Sequence, residues 1–231
     1  RGTAADVELN ELTLIEGVPR RAVFRGVFTD VALGDVLAAL GLKDVDGQVV
    51  LRIQSAELSS DGVDRFVAAG RCAHLSLDRL TAALGWGQMS GQARLVIDDL
   101  TIENNRLASL DAEISVEPAA SEAHWIERNL LSEVLQRTLG FELPSFLPDR
   151  FEYTQLGVRL EVRDETLYVF GTHGPGQKTI LSVRIGEQEL PVVPEPQSPI
   201  DLRPLCDELR ARLSAQLSAH LRRFKADAAT E

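Results

Sequence analysis

LGDVLAALGLKDVDGQVVLRI (33–53) and LDRLTAALGWGQMSGQARLVI (77–97) are two copies of one unit, offset by 44 residues. Nine of the 21 aligned positions are identical: Leu33/Leu77, Ala38/Ala82, Ala39/Ala83, Leu40/Leu84, Gly41/Gly85, Gly47/Gly91, Gln48/Gln92, Leu51/Leu95 and Ile53/Ile97. Ordinary residue frequencies give about one or two such matches by chance. The pair is a duplication. A repeat of this length is one supersecondary unit that buries its apolar side only by stacking on its neighbours.

Each copy has the same local grammar. A strand reaches Leu33 or Leu77, and Asp35 or Asp78 stands where a carboxylate caps a short helix. DVLAAL and DRLTAAL are good helix formers, and Gly41 or Gly85 stops them by taking a left-handed conformation. Asp46-Gly47 or Ser90-Gly91 then turns the chain into an alternating strand. Val49, Leu51 and Ile53 point one way while Arg52 and Gln54 point the other, and Leu95 and Ile97 repeat the row. Asp61-Gly62 and Asn104-Asn105 occupy hairpin-turn positions and lead back along 63–70 and 106–116. The unit is strand, short helix, hairpin.

Upstream, VELNELTLIE (7–16) and RAVFRGVFTDVAL (21–33) are two more strand-like runs. At Pro118 the pattern changes: SEAHWIERNLLSEVLQRTLG (121–140) has helical spacing, with Ser121 placed to cap it and Gly140 to end it. FELPSFLPDR (141–150) is a proline-bearing connector. Sheet pattern resumes with Leu156, Val158, Leu160 and Val162, a turn at Asp164-Glu165, then TLYVFG (166–171), TILSVRI (179–185) and ELPVV (189–193). PVVPEPQSP (191–199) reads as an extended linker. DLRPLCDELRARLSAQLSAHLRRFKADA (201–228) reads as an amphipathic helix with leucine every fourth residue from Leu205 to Leu221. The expected organisation is a repeat-containing half over 1–118 (units at about 31–70 and 75–116), a helix and connector over 119–149, antiparallel strands over 150–193, and a linker and helix over 194–231. The fold class is α+β: a long curved antiparallel sheet with two longer helices packed on it.

The chain has 231 residues, 44% of them hydrophobic, which is ample for a packed core. Its net charge of −11 makes nucleic acid a poor partner, because phosphate binding needs a basic footprint. No stretch approaches the roughly 18 uncharged apolar residues that span a bilayer as a helix. The first residue is Arg1, which fits a processed product or an excised piece of a longer chain. Cys72 and Cys206 are either one disulfide in an oxidising compartment or two buried thiols, and the thiol reading is favoured.

Chemistry is hard to find. GTHGPGQKT (171–179) has Gln177 between Gly176 and Lys178 and is followed by a β-branched run, so it is a hairpin loop rather than a phosphate-binding loop. His74, His124, His173 and His220 lack the i+3 or i+4 partner that puts two metal ligands on one helix face. Asp98-Asp99 reads as solvated strand face, and Asp44 and Asp46 as turn residues. No nucleophile elbow is present. The expectation is a non-enzymatic protein with no catalytic residue, no metal site and no cofactor.

The order of strand, short LxDxL/LTAALG helix, GQxxLxI strand and hairpin over about residues 25–117 resembles the AsmA-like family, bacterial cell-envelope proteins related to TamB and other bridge-like lipid transfer proteins. The resemblance implies a twisted antiparallel sheet curled into a groove whose apolar face shelters acyl chains. It also implies anchorage at the inner membrane, facing the periplasm, with a phospholipid or other acyl-chain ligand. Val49, Leu51, Ile53, Leu95 and Ile97 are the candidate groove residues, and ordinary core packing is the competing reading for them. The rival function is an envelope scaffold that binds a protein partner through its sheet face or edge.

Overall fold

The computed structural model describes residues 4–15, 18–34, 45–116, 123–140 and 142–202. Ser121, Cys206, His220, the first-copy helix at 35–40 and nearly all of the helix expected over 201–228 lie outside the described residues.

Among the described residues, twelve strands form one sheet: β1 (Ala4–Ile15), β2 (Val18–Ala32), β3 (Gln48–Ser59), β4 (Gly62–Ser76), β5 (Gln92–Glu103), β6 (Arg106–Val116), β7 (His124–Glu127), β8 (Arg150–Arg163), β9 (Thr166–Gly171), β10 (Thr179–Ile185), β11 (Gln188–Pro194) and β12 (Ile200–Asp201). Two helices accompany it among the described residues, α1 (Leu77–Ala83) and α2 (Arg128–Leu139). The pairings are antiparallel throughout, and β1 to β6 meander in sequence order. This is the curved α+β sheet expected from the pattern.

The structure adds a third copy of the repeat's hairpin. β1, β3 and β5 each have 12 residues and begin at Ala4, Gln48 and Gln92, in steps of 44. Their bulges coincide as well. The register slips at Leu9/Glu11, Ile53/Ser55 and Ile97/Asp99, and again at Thr13/Leu14, Glu57/Leu58 and Thr101/Ile102. A bulge increases the local twist, so bulges repeated at the same height coil the whole sheet. Gly26 and Gly70 are equivalent too. A Cβ there would press on the backbone carbonyl of Asp6 or Val50, the same neighbour one unit apart. Leu33 and Leu77 donate their N–H groups to the carbonyls of Gly47 and Gly91, both at 3.0 Å.

Local chemistry sets the turns. Asn104 and Asn105 (φ 51° and 60°) and Asp164 and Glu165 (φ 50° and 59°) form two-residue hairpin turns; the positive φ values suit the short polar side chains of Asn104, Asn105 and Asp164, and Glu165 adopts the left-handed conformation against its ordinary preference. In the β3–β4 hairpin the loop is Ser60-Asp61 rather than Asp61-Gly62, because Gly62 already pairs with Ser59. Adjacent turns are clasped: Asn105 accepts the Val63 N–H at 2.8 Å and donates to the Asp61 carbonyl at 3.0 Å. Asn105→Ala should therefore lower the unfolding free energy by about 1–2 kcal/mol in urea titrations and speed exchange of the Val63 amide.

Helix α1 ends as expected. Gly85 is left-handed (φ 71°), and Gly85 and Trp86 donate back to the carbonyls of Ala82 and Thr81. Its start differs from the expectation. Asp78 lies inside the first turn and Ser76 holds the N-cap position, so the Asp78 carboxylate acts on the helix dipole rather than as a cap.

The second half departs from the sequence pattern in three places. His124–Glu127 is strand β7, not the first turn of a helix, because these residues pair with Tyr153, Glu152, Phe151 and Arg150 of β8; α2 starts only at Arg128. Residues 172–178 are not a hairpin loop. β9 and β10 run in the same direction along one side of β8, and the segment between them loops out of that line, pinched shut where Thr179 N–H donates to the His173 carbonyl at 2.9 Å. Pro191 and Pro194 belong to edge strand β11, where the missing N–H groups cost no ladder bond on the open side. β8 joins the two halves: its C-terminal part pairs with β6 and β9, its N-terminal part with β7 and β10.

The main core sits at one end of the sheet. Leu130, Leu131 and Leu135 of α2 meet Leu75, Leu77, Met89, Ile126, Phe151, Tyr153, Leu181, Val183 and Val193. A second, small cluster of Ile53, Ala56 and Ala68, with Phe24, Phe28, Leu51 and Phe66 against it, lies within the repeats.

Candidate functional site

Directly paired residues of adjacent antiparallel strands share a face. Following the pairings from β1 outward gives continuous rows. One runs Leu9–Phe24–Ala56–Phe66–Ile102–Leu107. The next runs Val7–Gly26–Ile53–Ala68–Leu100–Leu110–Val162–Leu167–Ile200. Two more run Phe28–Leu51–Gly70–Ile97–Ala112–Leu160–Val169 and Val31–Val49–Cys72–Leu95–Ile114–Val158–Gly171. No position in these rows is ionised or carries a side-chain amide or hydroxyl. With strands about 4.8 Å apart, the eight strands from β1 to β9 make a surface roughly 34 Å wide.

The five candidate residues, Val49, Leu51, Ile53, Leu95 and Ile97, all stand in these rows, on one face. Their roles divide. Ile53 is a buried member of the small cluster and Leu51 packs against it; Val49 and Leu95 pack against the main core. Ile97 belongs to neither cluster, and is half-buried. The two helices and the main core close one end of the face. Toward β1 the rows open: Val7, Leu9, Leu12 and Leu14 are exposed.

The opposite face carries the charges, interspersed with Val27, Val50, Val96, Tyr168 and Phe170. Arg25 grips Glu8 through two hydrogen bonds (3.0 and 2.7 Å), and Arg159 grips Asp111 bidentately (3.0 and 2.7 Å). Arg21 pairs with Glu57 and Glu11, and Arg163 with Glu161. Asp98 and Asp99 do not form a carboxylate pair. Asp98 is the extra residue of the bulge between Ile97 and Asp99, while Asp99 accepts hydrogen bonds from Thr101 and Ser109. Asp46 pairs with Arg79 at 2.7 Å.

Among the described residues, no group of three or more His, Cys, Asp or Glu is placed to hold a metal ion. His74 Nδ1 meets Gln92, and His124 stacks edge-on against Tyr153. His173 Nε2 is buried without a hydrogen-bond partner, and burial lowers the pKa of the ring, favouring the neutral form. Cys72 lies on the apolar face as a buried free thiol, its pKa pushed up by that burial. A shallow open depression lies elsewhere, between the β5–β6 and β8–β9 turns, lined mainly by polar residues such as Asn104, Asn105, Arg106 and Asp164.

Tyr153 locks the closed end. Its hydroxyl donates to the Ser90 carbonyl at 2.5 Å, and burial drives its pKa well above the ordinary value. A folded pKa raised in this way means stability that is full below the unfolded pKa of about 10 and falls as pH climbs toward the folded value. In Tyr168→Phe, which leaves Tyr153 as the one tyrosine of the chain, the phenolate band should therefore appear together with alkaline unfolding, as followed by parallel ultraviolet and circular-dichroism titrations. Phenolate formation in the still-folded protein would contradict this assignment.

No family model, curated protein or solved structure matches this chain. Sequence reasoning had found the face through the two matched copies but missed its N-terminal third. The signal available there was the apolar spacing i, i+2, i+5, i+7: Val7, Leu9, Leu12 and Leu14 correspond to Leu51, Ile53, Ala56 and Leu58, and to Leu95, Ile97, Leu100 and Ile102.

Proposed function

We propose that this chain is a non-enzymatic domain of the bacterial cell envelope whose apolar sheet face shelters lipid acyl chains. The observation that carries the reading is the uninterrupted apolar surface across β1 to β9, backed by the face that carries the charges. A soluble sheet must bury such a face, and monomers rarely leave apolar patches beyond a few hundred Å² in water. Acyl chains fit it because they need no hydrogen-bond partner and adapt to a row of branched side chains. The mechanism is shielding: water is excluded from the acyl chain and no bond is made or broken. The ligand class is phospholipid or another acyl-chain lipid, and the role is lipid transport or envelope maintenance. Placement facing the periplasm follows from the family resemblance. No helix among the described residues is long and apolar enough to cross a membrane.

Photo-crosslinking with a diazirine fatty acid tests the proposal. Label should enter peptides carrying Leu95, Ile97 and Leu100 and spare side chains of the charged face such as Arg94. Equal labelling of both faces, or none, would remove the acyl-chain reading and favour a protein partner on the same surface.

A further inference from the structure

The joints between the hairpin units are identical. Where unit one meets unit two, Ala22, Phe24, Gly26 and Phe28 of β2 face Leu58, Ala56, Ile53 and Leu51 of β3. Where unit two meets unit three, Phe66, Ala68, Gly70 and Cys72 of β4 face Ile102, Leu100, Ile97 and Leu95 of β5. Every one of these pairs is displaced by 44 residues on both strands, bulges included. β1 has the length, bulge positions and apolar spacing of β3 and β5. Among the described residues, however, it pairs with β2 alone.

The missing neighbour shows in the burial. Ile53 is 7% exposed and its equivalent Leu9 is 56% exposed; Ala56 is 0% exposed and Leu12 is 48%. The far side of the sheet is blunted, by Pro191 and Pro194 in β11 and by the two-residue length of β12. β1 is a 12-residue edge without proline. Its polar face carries Asp6, Glu8 and Glu11 and no basic residue, and Glu8 and Glu11 meet Arg25 and Arg21 of β2, so a second β1 laid against it antiparallel would add acids with no base of its own to meet them.

We infer that the open edge of β1 receives the return strand of a further hairpin unit of this same repeat class, in the register already used twice within the chain. The incoming strand has apolar or small residues at i, i+2, i+4 and i+6, with glycine third. That glycine lies opposite Leu9, the residue before it on the same face opposite Leu12, and the residue after it opposite Val7. By the same register a basic residue at the β4 position of Arg71 falls opposite Glu8. The inference concerns the edge and does not depend on what the apolar face carries.

The probe is a synthetic peptide of residues 62–76, whose own Cys72 falls opposite Val7. It is added to the full chain carrying Cys206→Ser and a single new cysteine: Val7→Cys, Leu9→Cys or Leu12→Cys. Disulfide trapping should be at least roughly tenfold faster at position 7 than at 9 or 12, because a register slip misplaces every pair. Hydrogen exchange on the chain without a new cysteine should slow at β1 amides when peptide is added, with other edge strands unchanged. Trapping that is equal at all three positions, or absent with no β1 protection at saturating peptide, would overturn the inference. So would a chain that already pairs β1 with β1 in a dimer, seen as concentration-dependent mass and β1 protection without peptide.

Discussion

Replacing Leu131 by alanine should lower the unfolding free energy by about 3–4 kcal/mol, the range expected when a fully buried leucine is cut back and its cavity does not collapse. Leu131 lies on α2 with 1% of its surface exposed, in a packed cluster that draws on the end of β4, helix α1, and strands β5, β7, β8, β10 and β11. None of these elements buries its apolar side without the others, so the loss falls on the closed end of the sheet as a whole. In urea titrations the midpoint should drop with the slope unchanged. Leu9→Ala, at an exposed site on β1, should shift stability by less than about 0.5 kcal/mol in the same assay. A loss below about 1 kcal/mol for Leu131→Ala would mean that α2 does not seal a packed core.

Ile97→Asp should reduce acyl-chain binding by roughly thirtyfold or more, since a carboxylate against hydrocarbon costs about 2 kcal/mol at the least, and 1.4 kcal/mol is tenfold in affinity. Ile97 is the informative choice because it lies in the middle of the apolar rows yet belongs to neither packed cluster. Ile53→Asp would confound the measurement, because Ile53 is a buried member of the small cluster. Arg94→Glu, on the opposite face and exposed, should leave binding within about twofold, as expected for a surface substitution remote from the contact. A fluorescent fatty-acid titration, with circular dichroism to confirm folding, reads both Ile97→Asp and Arg94→Glu. Equal loss in Ile97→Asp and Arg94→Glu would point to nonspecific partitioning rather than to this face.

The parts of the fold written plainly in the sequence were those where a residue type has one physical use. Asn104, Asn105 and Asp164 tolerate positive φ, and Gly85 and Gly140 end helices for the same reason. The duplicated AALG and GQxxLxI blocks exposed two units because turn glycines and small helix residues allow few substitutes. The third unit was hidden. Between residues 4–32 and 48–76 only Leu14/Leu58, Arg21/Arg65, Val23/Val67 and Gly26/Gly70 are identical, since a sheet face asks for apolar volume rather than for a given residue. Bulges hid it further by breaking strict alternation into a 2-3-2 spacing. His124–Glu127 reads as helix because Ile126 falls in phase with the leucines of α2, while the partner that makes it a strand, Phe151, lies 25 residues away. The looped-out segment at 172–178 and the edge role of Pro191 likewise depend on what lies beside them. The apolar face was legible as a set of residues; its continuity over eight strands was a property of register.

That continuity is the basis of the functional account, and native mass spectrometry of the purified full chain tests it most directly. The account predicts peaks above the chain mass by the mass of one or more phospholipids or fatty acids, lost after organic extraction and regained on incubation with phospholipid. A spectrum at the bare chain mass before extraction, with no uptake afterwards, would contradict it.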